Sequence, residues 1–421
     1  MDPNVPEDVR REVAAWLAEH FDPELPVLGW RGLLADSGWG APAWPLDWYG
    51  RGLPADVAGV VAEEFERVGA VGPSTTGAGA WLVAPTILVH GTDEQKRRHL
   101  RPILTGEDKW CQLFSEPGNG SDLAGLTTRA ERDGDEWVVS GQKVWTTGAR
   151  FARYGLLLAR TDWDVPKHRG ITCFVLPMGQ PGVEVRPLRQ MNGHASFNEV
   201  FLDAARVPAD HLLGDVHEGW TVARTTLTFE RGAGAGPAIG ARRPKPGRTA
   251  TEATEDAEEL ARSLRWYPQR AGRADLVVPQ AKASGRAVDP VVRAAAADVV
   301  AHERMARWNA ERARVALAGG RPPGPEGSLG KLAASDLARR CASTHAEIAG
   351  AHGMLSGEDG PLGGLIPEII VSVPGHSIAG GTDEIQRNIL AERVLDLPRE
   401  HAVDEGVAFC EVRTNAPGRR T

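Results

Sequence analysis

The chain has 421 residues, which is too long for a single ordinary hydrophobic core, so its length predicts two or three domains. A hydrophobic fraction of 42% and a charged fraction of 25% are typical of a soluble globular protein. The net charge of −8 argues against a nucleic-acid-binding surface, and no stretch approaches the roughly 20 apolar residues needed to span a bilayer.

Four cysteines are present, and their spacing matches neither a metal site nor a disulfide framework. The acidic, polar N-terminus does not resemble a signal peptide. We therefore expect no bound metal, no nucleic-acid or membrane partner, and a cytoplasmic location.

Residues 1–108 have the apolar spacing of helices. A first helix is predicted to open at Pro6, and further helices are predicted at Leu28–Ser37 and Ala55–Val68. Thr92-Asp-Glu-Gln has the pattern of a capping box, which predicts a helix beginning directly after Thr92. The sequence thus predicts an N-terminal helical domain.

From residue 109 to about 212 the pattern changes to short strands. Asp133-Gly134 is a hairpin signal between strands predicted at Thr127–Glu131 and Glu136–Ser140. Further strands are predicted at Tyr154–Arg160, Ile171–Leu176, Val183–Pro187 and Glu199–Leu202. This spacing predicts a small β-barrel, or else a sandwich, inserted into a helical chain.

Helical spacing returns in residues 213–400 and predicts a C-terminal helical bundle. The clearest helices are Glu218–Gly232, one beginning at Pro290, Ser328–Ala349 and Thr382–Leu395. Residues 242–254 are predicted to form a mobile loop or insertion, and residues 401–421 a disordered polar tail. The predicted fold is mainly α with an inserted β domain.

Two motifs of the β domain combine hydroxyls, glycines and an indole. Gln112–Asp122 places Ser115 after a strand end, followed by Gly118 and Gly120, which can adopt positive φ and let backbone N–H groups converge on a phosphate. Gly141–Ala149 adds an indole and two hydroxyls. A surface turn explains either motif alone, but the pair predicts a site for a large, flat, phosphorylated cofactor.

The domain order and three motifs resemble the acyl-CoA dehydrogenase superfamily of flavoproteins. The motifs LFSEPGNGSD, GQKVWTTGA and IAGGTDEIQRNILAERVL occur in that order, and the resemblance covers about Gly29–Pro398. It implies FAD as cofactor, an acyl thioester as substrate and an electron-transfer flavoprotein as electron acceptor. It also implies a homodimer or homotetramer, with a heteromer as an alternative.

The resemblance further implies which residues bind FAD. Those of the first motif would line the flavin ring and the pyrophosphate: Gln112, Leu113, Phe114, Ser115, Gly120 and Ser121. Trp145, Thr146 and Thr147 would border the isoalloxazine. Thr382, Asp383 and Glu384 would complete the site, while Glu347–Ala351, including Glu347 and Gly350, would contact the adenosine half bound to a neighbouring subunit. For this last set, ordinary packing at a helix end is an equal alternative.

In this family a carboxylate removes the α proton of the substrate. Many members carry it just before the Gly-Thr of the last motif, where this chain has Gly380. A smaller branch, typified by long-chain and isovaleryl enzymes, carries a Glu before an Arg on the first bundle helix, which Glu230-Arg231 matches. The resemblance thus implies Glu230 as the base, and the backbone N–H of Gly380 as a donor to the thioester carbonyl.

Helical spacing independently favours an inward position for Glu230. Trp220, Ala223, Leu227 and Glu230 follow one another at steps of three or four and share one face. Burial raises the pKa of a carboxylate toward that of a useful general base. A structural Glu paired with Arg231 is the alternative.

One family motif is missing. The Arg-x-x-Phe-Gly stretch that binds adenosine is replaced by Gln280–Pro290, in which Lys282 and Arg286 are the candidate cations. This departure leaves a second hypothesis, a partner subunit of a heteromeric acyl-CoA dehydrogenase. A third hypothesis keeps the fold and changes the chemistry: a flavin N-hydroxylase or nitroalkane-type oxidase. The acyl group and its carrier, coenzyme A or protein, are left open; Gly232–Gly236 fit either a bulky chain or a close helix contact.

Overall fold

The computed structural model describes residues 5–230, 238–318, 324 and 326–412. The chain divides into two compact units. The first contains the residues up to Leu188, then Ala195–Arg262 and the residues from Ala402 onward; the second contains Arg189–His194 and Ser263–His401. The first helix after the β domain therefore belongs to the same unit as that domain.

The helices before the β domain follow the predicted order. They are α1 (Val5–His20), α2 (Val27–Ser37), α3 (Ala55–Val68), α4 (Ala84–His90) and α5 (Asp93–Thr105). Val13, Trp30 and Phe65 lie in one core that α1, α2 and α3 share. Thr92 Oγ1 accepts a hydrogen bond from Gln95 N at 3.2 Å, and Gln95 Oε1 accepts one from Thr92 N at 3.0 Å. The predicted capping box is therefore confirmed.

The β domain is one mixed sheet. Its strands are β1 (Trp110–Leu113), β2 (Arg129–Asp133), β3 (Glu136–Lys143), β4 (Tyr154–Arg160), β5 (Ile171–Pro177), β6 (Val183–Leu188), β7 (Phe197–Pro208) and β8 (Leu212–Leu213). Their order is β6-β7-β3-β2-β4-β5-β8, and β1 pairs in parallel with β4. The β2–β3 hairpin turns at Gly134, whose φ is +62°. The predicted β domain within a helical chain is confirmed.

Adjacent residues of the central strands face two different cores, as the pleat requires. Leu157 packs with Leu113 and Phe174 in one core, whereas Leu156 packs with Ile87 and other residues of the helical part in a second. Two helices of the first unit follow the sheet, α6 (Gly219–Glu230) and α7 (Arg248–Ser263).

Helix α7 contradicts the prediction of a mobile loop for residues 248–254. Its inward face consists largely of polar residues and alanines, so helical apolar spacing identifies it poorly. Thr249 Oγ1 donates to Leu25 O at 2.6 Å, and Glu252 accepts from Val27 N at 2.8 Å. Asp256 is paired with Arg31 and Lys109. The helix is therefore held by specific polar contacts with the N-terminal part of the same unit.

The second unit is helical. Its helices are α8 (Tyr267–Arg270), α9 (Ala274–Ala283), α10 (Pro290–Ala318), α11 (Glu326–Ala349), α12 (Pro361–Ser372), α13 (Pro374–Ile378) and α14 (Asp383–Val394). Val277, Val299 and Cys341 lie in a core shared by α9, α10 and α11. The helix predicted to begin at Pro290 begins there, and the helical bundle is confirmed.

The prediction of a disordered tail is wrong for residues 402–412. The Phe409 side chain is fully buried. The backbone N–H groups of Phe409 and Cys410 donate to Val165 O and Trp163 O at 2.9 and 2.7 Å. The polar composition concealed this packing, because a single aromatic residue supplies most of the apolar contact. Residues 413–421 lie outside the described residues.

One described stretch, Pro361–Val394, is long and apolar enough to cross a membrane by length and composition alone. It consists of α12, α13 and α14, with left-handed backbone at Leu362–Gly364 and again at Gly380 and Gly381. It is therefore not one continuous helix. The cytoplasmic location stays a prediction.

Candidate functional site

The loop from Ser115 to Asp122, here called the glycine loop, follows β1. A reciprocal pair of backbone hydrogen bonds closes it, Glu116 N to Asn119 O and Asn119 N to Glu116 O, both at 3.0 Å. Neither Gly118 nor Gly120 has a positive φ, so a nest built on left-handed glycines is not formed. A Cβ atom at Gly120 would meet nothing within 4 Å, which leaves room for another molecule beside its backbone.

A buried ion pair connects the two motifs of the β domain. Glu116 accepts from Lys143 Nζ at 2.9 Å, and their side chains are 4% and 0% exposed. Lys143 Nζ also donates to Phe114 O at 3.1 Å. Burial acts to raise the pKa of Glu116, but the Lys143 charge and hydrogen bonds from Thr128 and Thr127 outweigh it and lower that pKa to about 2. The glycine loop and the end of β3 are thereby fixed to each other.

Sequence reasoning missed this pair. Both residues lie within the motifs that predicted the site, Glu116 in SEPG and Lys143 in GQKVW. Two opposite charges flanking apolar strand ends were the available signal, but their pairing across 27 positions depends on the β1 and β3 geometry. Both side chains are buried, so the pair fixes the position of the loop from within the protein.

The second motif leaves an indole on the surface. Trp145 has φ +63° and is 57% exposed, with Phe197 edge-on at 5.7 Å between ring centroids. A positive φ in a bulky residue is strained and is found most often at functional positions. Hydrogen bonds between Thr146 and Asn198 fix the next residue in place: each backbone N–H donates to the other's carbonyl, and Asn198 Nδ2 also donates to Thr146 O. The protein thus holds an aromatic face toward open space.

The side-chain hydroxyl of Thr146 is buried, and its Oγ1 has no hydrogen-bond partner among the described residues. A buried hydroxyl left unpaired costs free energy, so it suggests a missing partner. Thr147, next in the chain, is half-buried.

The remaining residues of the first motif contribute mainly through their backbone. Leu113 and Phe114 are buried in the two cores, so their side chains face the protein interior. Ser115 O accepts from Val144 N at 2.9 Å. Gln112 is half-buried, and Ser121 is exposed. The side chains that reach open space are therefore polar ones.

Helix α6 places Glu230 at its last residue. Ala223 is buried, and Trp220 and Leu227 pack against the same core, so the predicted inward face is present. Thr226 Oγ1 lies 3.1 Å from Thr86 Oγ1, which contributes to fixing α6 against α4. Glu230 is half-buried. Arg231 and the small residues Gly232–Gly236 lie outside the described residues.

In the second unit, Gly380 and Gly381 precede α14 and have φ values of +68° and +83°. A residue with a side chain would be strained at either position. Gly380 O accepts from Gln386 Nε2 at 2.9 Å, and Thr382 caps α14 by accepting from Ile385 N at 3.3 Å. These two hydrogen bonds fix the backbone of the turn.

Asp383 follows the cap and is buried between two cations. Lys331 Nζ and Arg339 Nη1 lie 2.6 and 2.7 Å from its carboxylate oxygens. Burial opposes ionisation, but these hydrogen bonds hold the pKa of Asp383 far below its usual range. Glu384, by contrast, is exposed. Asp383 is therefore structural in this unit, while the Glu384 side chain is accessible.

The end of α11 carries the predicted adenosine-contacting residues. Glu347 and Gly350 are exposed, and the latter has φ +56°. Arg286, one of the two candidate cations, donates to Glu347 O and Ile348 O and pairs with Asp289 at 2.6 Å. Its guanidinium therefore caps α11. Lys282, the other candidate, is exposed.

Three family models match the chain. Acyl-CoA dehydrogenase, N-terminal domain, matches residues 5–107; the middle domain matches 111–205; the C-terminal domain matches 277–395. The chain belongs to the acyl-CoA dehydrogenase family. Members of this family are FAD-dependent oxidoreductases that act on CH–CH groups, which confirms the resemblance.

The relatives of this acyl-CoA dehydrogenase include a protein twice its length. FadE34 of Mycobacterium tuberculosis is 39% identical over 395 residues, which cover 93% of this chain and 49% of FadE34. The chain therefore spans about half the length of that relative.

Two solved structures are also similar. Tcur3481-Tcur3483 steroid ACAD has a TM-score of 0.66 at 26% identity, covering 95% of this chain and 99% of that chain. The ChsE4-ChsE5 complex from Mycobacterium tuberculosis has a TM-score of 0.66 at 28% identity, with the same two coverages.

Several groups of the first unit have a chemistry that suits FAD. The free space beside Gly120 and the exposed Ser121 hydroxyl suit a pyrophosphate. The exposed Trp145 indole suits a flat ring, and the Thr146 hydroxyl, unpartnered among the described residues, suits a polar atom of that ring.

Proposed function

We propose that this chain oxidises an acyl thioester at the Cα–Cβ bond and that Glu230 is the base. The observation that carries the proposal is the place of Glu230 at the end of the core-facing side of α6, one step beyond Leu227. A carboxylate on this side is partly removed from water, which favours the proton-accepting role. Gly380 leaves no carboxylate at the position that many family members use.

The residues have separate roles in the proposed reaction. The Glu230 carboxylate takes the α proton, and the Gly380 backbone N–H donates a hydrogen bond to the thioester oxygen, where negative charge develops as the α C–H bond breaks. Bound FAD would accept the β hydrogen as hydride.

The residues that we propose to bind FAD are those that the family resemblance implies. Those proposed in the first unit are Gln112, Leu113, Phe114, Ser115, Gly120, Ser121, Trp145, Thr146 and Thr147. Thr382 and Glu384 are proposed to complete the site, with Glu347 and Gly350 contacting the adenosine half bound to a neighbouring subunit of a homodimer or homotetramer. An electron-transfer flavoprotein is proposed as the acceptor.

The Glu230→Gln variant tests the base. We expect a purified yellow protein whose anaerobic, substrate-dependent bleaching is slower by about 100-fold or more, the lower range of general-base contributions. Glu218→Gln is a matched control, because Glu218 lies exposed just before the same helix. Near-normal bleaching in Glu230→Gln would sink the assignment.

We propose a bulky, polycyclic acyl group, because one similar structure is named a steroid ACAD. The test is an anaerobic bleaching screen with straight-chain, branched and steroid-side-chain thioesters, offered both on coenzyme A and on a carrier protein. Fastest bleaching by the steroid-derived thioester supports the proposal. Fastest bleaching by a short straight chain contradicts it, and rapid oxidase turnover on amines or nitroalkanes would favour the oxidase hypothesis instead.

A second candidate function is a partner subunit of a heteromeric dehydrogenase. Two observations favour it: Arg286 is engaged in capping α11, and a similar solved structure is the ChsE4-ChsE5 complex. Purification of the chain alone decides between the two. A yellow homo-oligomer that bleaches with substrate supports the enzyme, whereas a colourless protein that becomes yellow only with a co-expressed relative supports the partner subunit.

A further inference from the structure

The C-terminal segment, residues 402–412, lies against the β domain and beyond the last family match, which ends at residue 395. Besides the backbone bonds of Phe409 and Cys410, Ala408 forms an isolated antiparallel bridge with Pro166. The segment therefore has a defined register on residues 163–166, although no family domain includes it.

A first connection runs from Phe409 to the residues that follow the glycine loop. The Arg160 guanidinium stacks on the Phe409 ring, with Cζ 3.5 Å from the centroid. The same guanidinium donates to Ala124 O at 2.6 Å and to Leu126 O at 3.1 Å. Arg160 is fully buried, so its orientation depends on these contacts. The ring thus supports the arginine that fixes the backbone after Asp122.

A second connection runs through Lys167. Its Nζ lies 2.7 Å from Asp404 Oδ2 in the C-terminal segment and 3.0 Å from Asp122 Oδ1 in the glycine loop. The Lys167 backbone carbonyl also accepts a hydrogen bond from Arg160 Nη1 at 3.0 Å. The two connections therefore meet at Lys167. The Lys167 side chain is only 16% exposed, which limits the alternative positions of its ammonium group.

Lys167 also compensates the negative charge of Asp122. Asp122 lies two residues from Gly120, and an unpaired carboxylate there would repel a pyrophosphate bound at the loop. The Lys167 ammonium group pairs with that carboxylate and offsets its negative charge. Loop position and local charge therefore depend on the same contact.

We propose that the C-terminal segment is part of the cofactor site and positions the glycine loop for the FAD pyrophosphate. Lys167 and Phe409 are positioning residues, because they act through Asp122 and Arg160 and need not touch FAD. The inference rests on the proposed assignment of Gly120 and Ser121 to FAD.

The test measures FAD dissociation constants by titrating the apoprotein and following flavin fluorescence. Lys167→Met, Phe409→Ala and deletion of residues 402–421 should each weaken binding by about fivefold or more, the lower range of couplings between sites. Lys167→Arg keeps both ion pairs and should restore binding. Hydrogen exchange should accelerate in residues 118–126 and remain unchanged in β4 and β5.

Lys96→Met is the matched control. The Lys96 side chain is 15% exposed and lies 3.7 Å from Asp93, far along the chain from the glycine loop, so the same substitution should leave FAD binding unchanged. Unchanged binding in Lys167→Met, or equal weakening in Lys96→Met, overturns the proposal. If the deletion prevents folding, Lys167→Met decides alone, because it leaves the Phe409 contacts intact.

A separate variant distinguishes the inference from the assignment on which it rests. Ser121→Asp places a carboxylate where the pyrophosphate is proposed to bind and should abolish FAD binding if the loop holds FAD. Normal binding in Ser121→Asp removes the loop assignment itself. Lost binding in Ser121→Asp with normal binding in Lys167→Met removes only the role of the C-terminal segment.

Discussion

Two buried carboxylates stand beside glycine-containing turns, one in each unit, and they are neutralised differently. Among the described residues, Glu116 has a single cationic partner, Lys143, whose side chain is fully buried. Asp383 has two, Lys331 and Arg339, whose side chains are 14% and 43% exposed. If Lys143 is lost, Glu116 keeps hydrogen bonds from Thr127 and Thr128 but no cation, whereas Asp383 keeps a cation if either of its partners is lost.

Each lysine also fixes a backbone carbonyl of its own unit. Lys143 Nζ donates to Phe114 O, and Lys331 Nζ donates to Ser377 O at 3.0 Å. Both carboxylates have a lowered pKa, although burial alone would raise it, so both are ionised at neutral pH. In both units, a lysine thus pairs with a buried carboxylate and also holds a backbone carbonyl. The units differ because Asp383 keeps a second cation when its lysine is removed.

The largest effect is expected for Lys143→Met. It leaves the Glu116 carboxylate buried without its cation, which costs about 3–5 kcal/mol of unfolding free energy. Urea unfolding followed by circular dichroism measures the loss. The double variant Lys143→Met/Glu116→Gln should recover a large part of it, because no unpaired charge then remains. A loss in Lys143→Met below that of the double variant would contradict the comparison.

The pH dependence of stability should be weaker in Lys143→Met than in the unaltered protein. In the unaltered protein the folded pKa of Glu116, about 2, lies below its ordinary value of 4.5, so its stabilising contribution is present above pH 4.5 and is lost as the pH falls toward 2. Without Lys143, burial is opposed only by the hydrogen bonds from Thr127 and Thr128, so the folded pKa of Glu116 is higher and less stability is lost over this range. The gap in unfolding free energy between the variant and the unaltered protein should therefore narrow as the pH falls from 4.5 toward 2.

Sequence patterns predicted the elements whose buried faces are apolar. Helix α3 and strand β4 have the predicted bounds, because apolar periodicity alone determines where their side chains are buried. Helix α7 and the C-terminal segment were missed, since Asp256 and Phe409 are held by partners that are distant in the chain.

The candidate site shows the same limit. The motifs located the glycine loop and Trp145, because glycines, hydroxyls and an indole occur at defined spacing. The Glu116–Lys143 pair and the Lys167 contacts required strand register, which no local pattern contains. Positive φ was expected at Gly118 and Gly120 but occurs at Trp145 instead, because the reciprocal Glu116–Asn119 bonds close the turn without it.

A smaller effect is expected for Lys331→Met in the second unit. The variant loses one charged hydrogen bond, worth about 1.5–3 kcal/mol, and Arg339 still neutralises Asp383. Arg339→Met should cost less than Lys331→Met, because the Arg339 side chain is more exposed and solvent replaces its contact. Urea unfolding of both variants beside Lys143→Met measures the ranking. A cost for Lys331→Met equal to that of Lys143→Met would mean that Arg339 contributes nothing.

The smallest change in stability is expected for Gln386→Met, which sharpens the comparison within the second unit. Gln386 Nε2 donates to Gly380 O, while its buried Oε1 has no partner among the described residues. An apolar side chain of similar length removes a hydrogen bond of about 1 kcal/mol and also an unpaired acceptor, so the free energy of unfolding should change little.

The Gly380 carbonyl, however, loses the hydrogen bond from Gln386, and the Gly380 N–H is then less well oriented. We expect kcat to fall, though by less than the roughly 100-fold loss caused by removing an oxyanion donor outright, with flavin content unchanged. Arg393→Met, at an exposed position in the last turn of α14, is the control. Equal kcat in Gln386→Met and the control would show that the Gly380 turn keeps its orientation without Gln386.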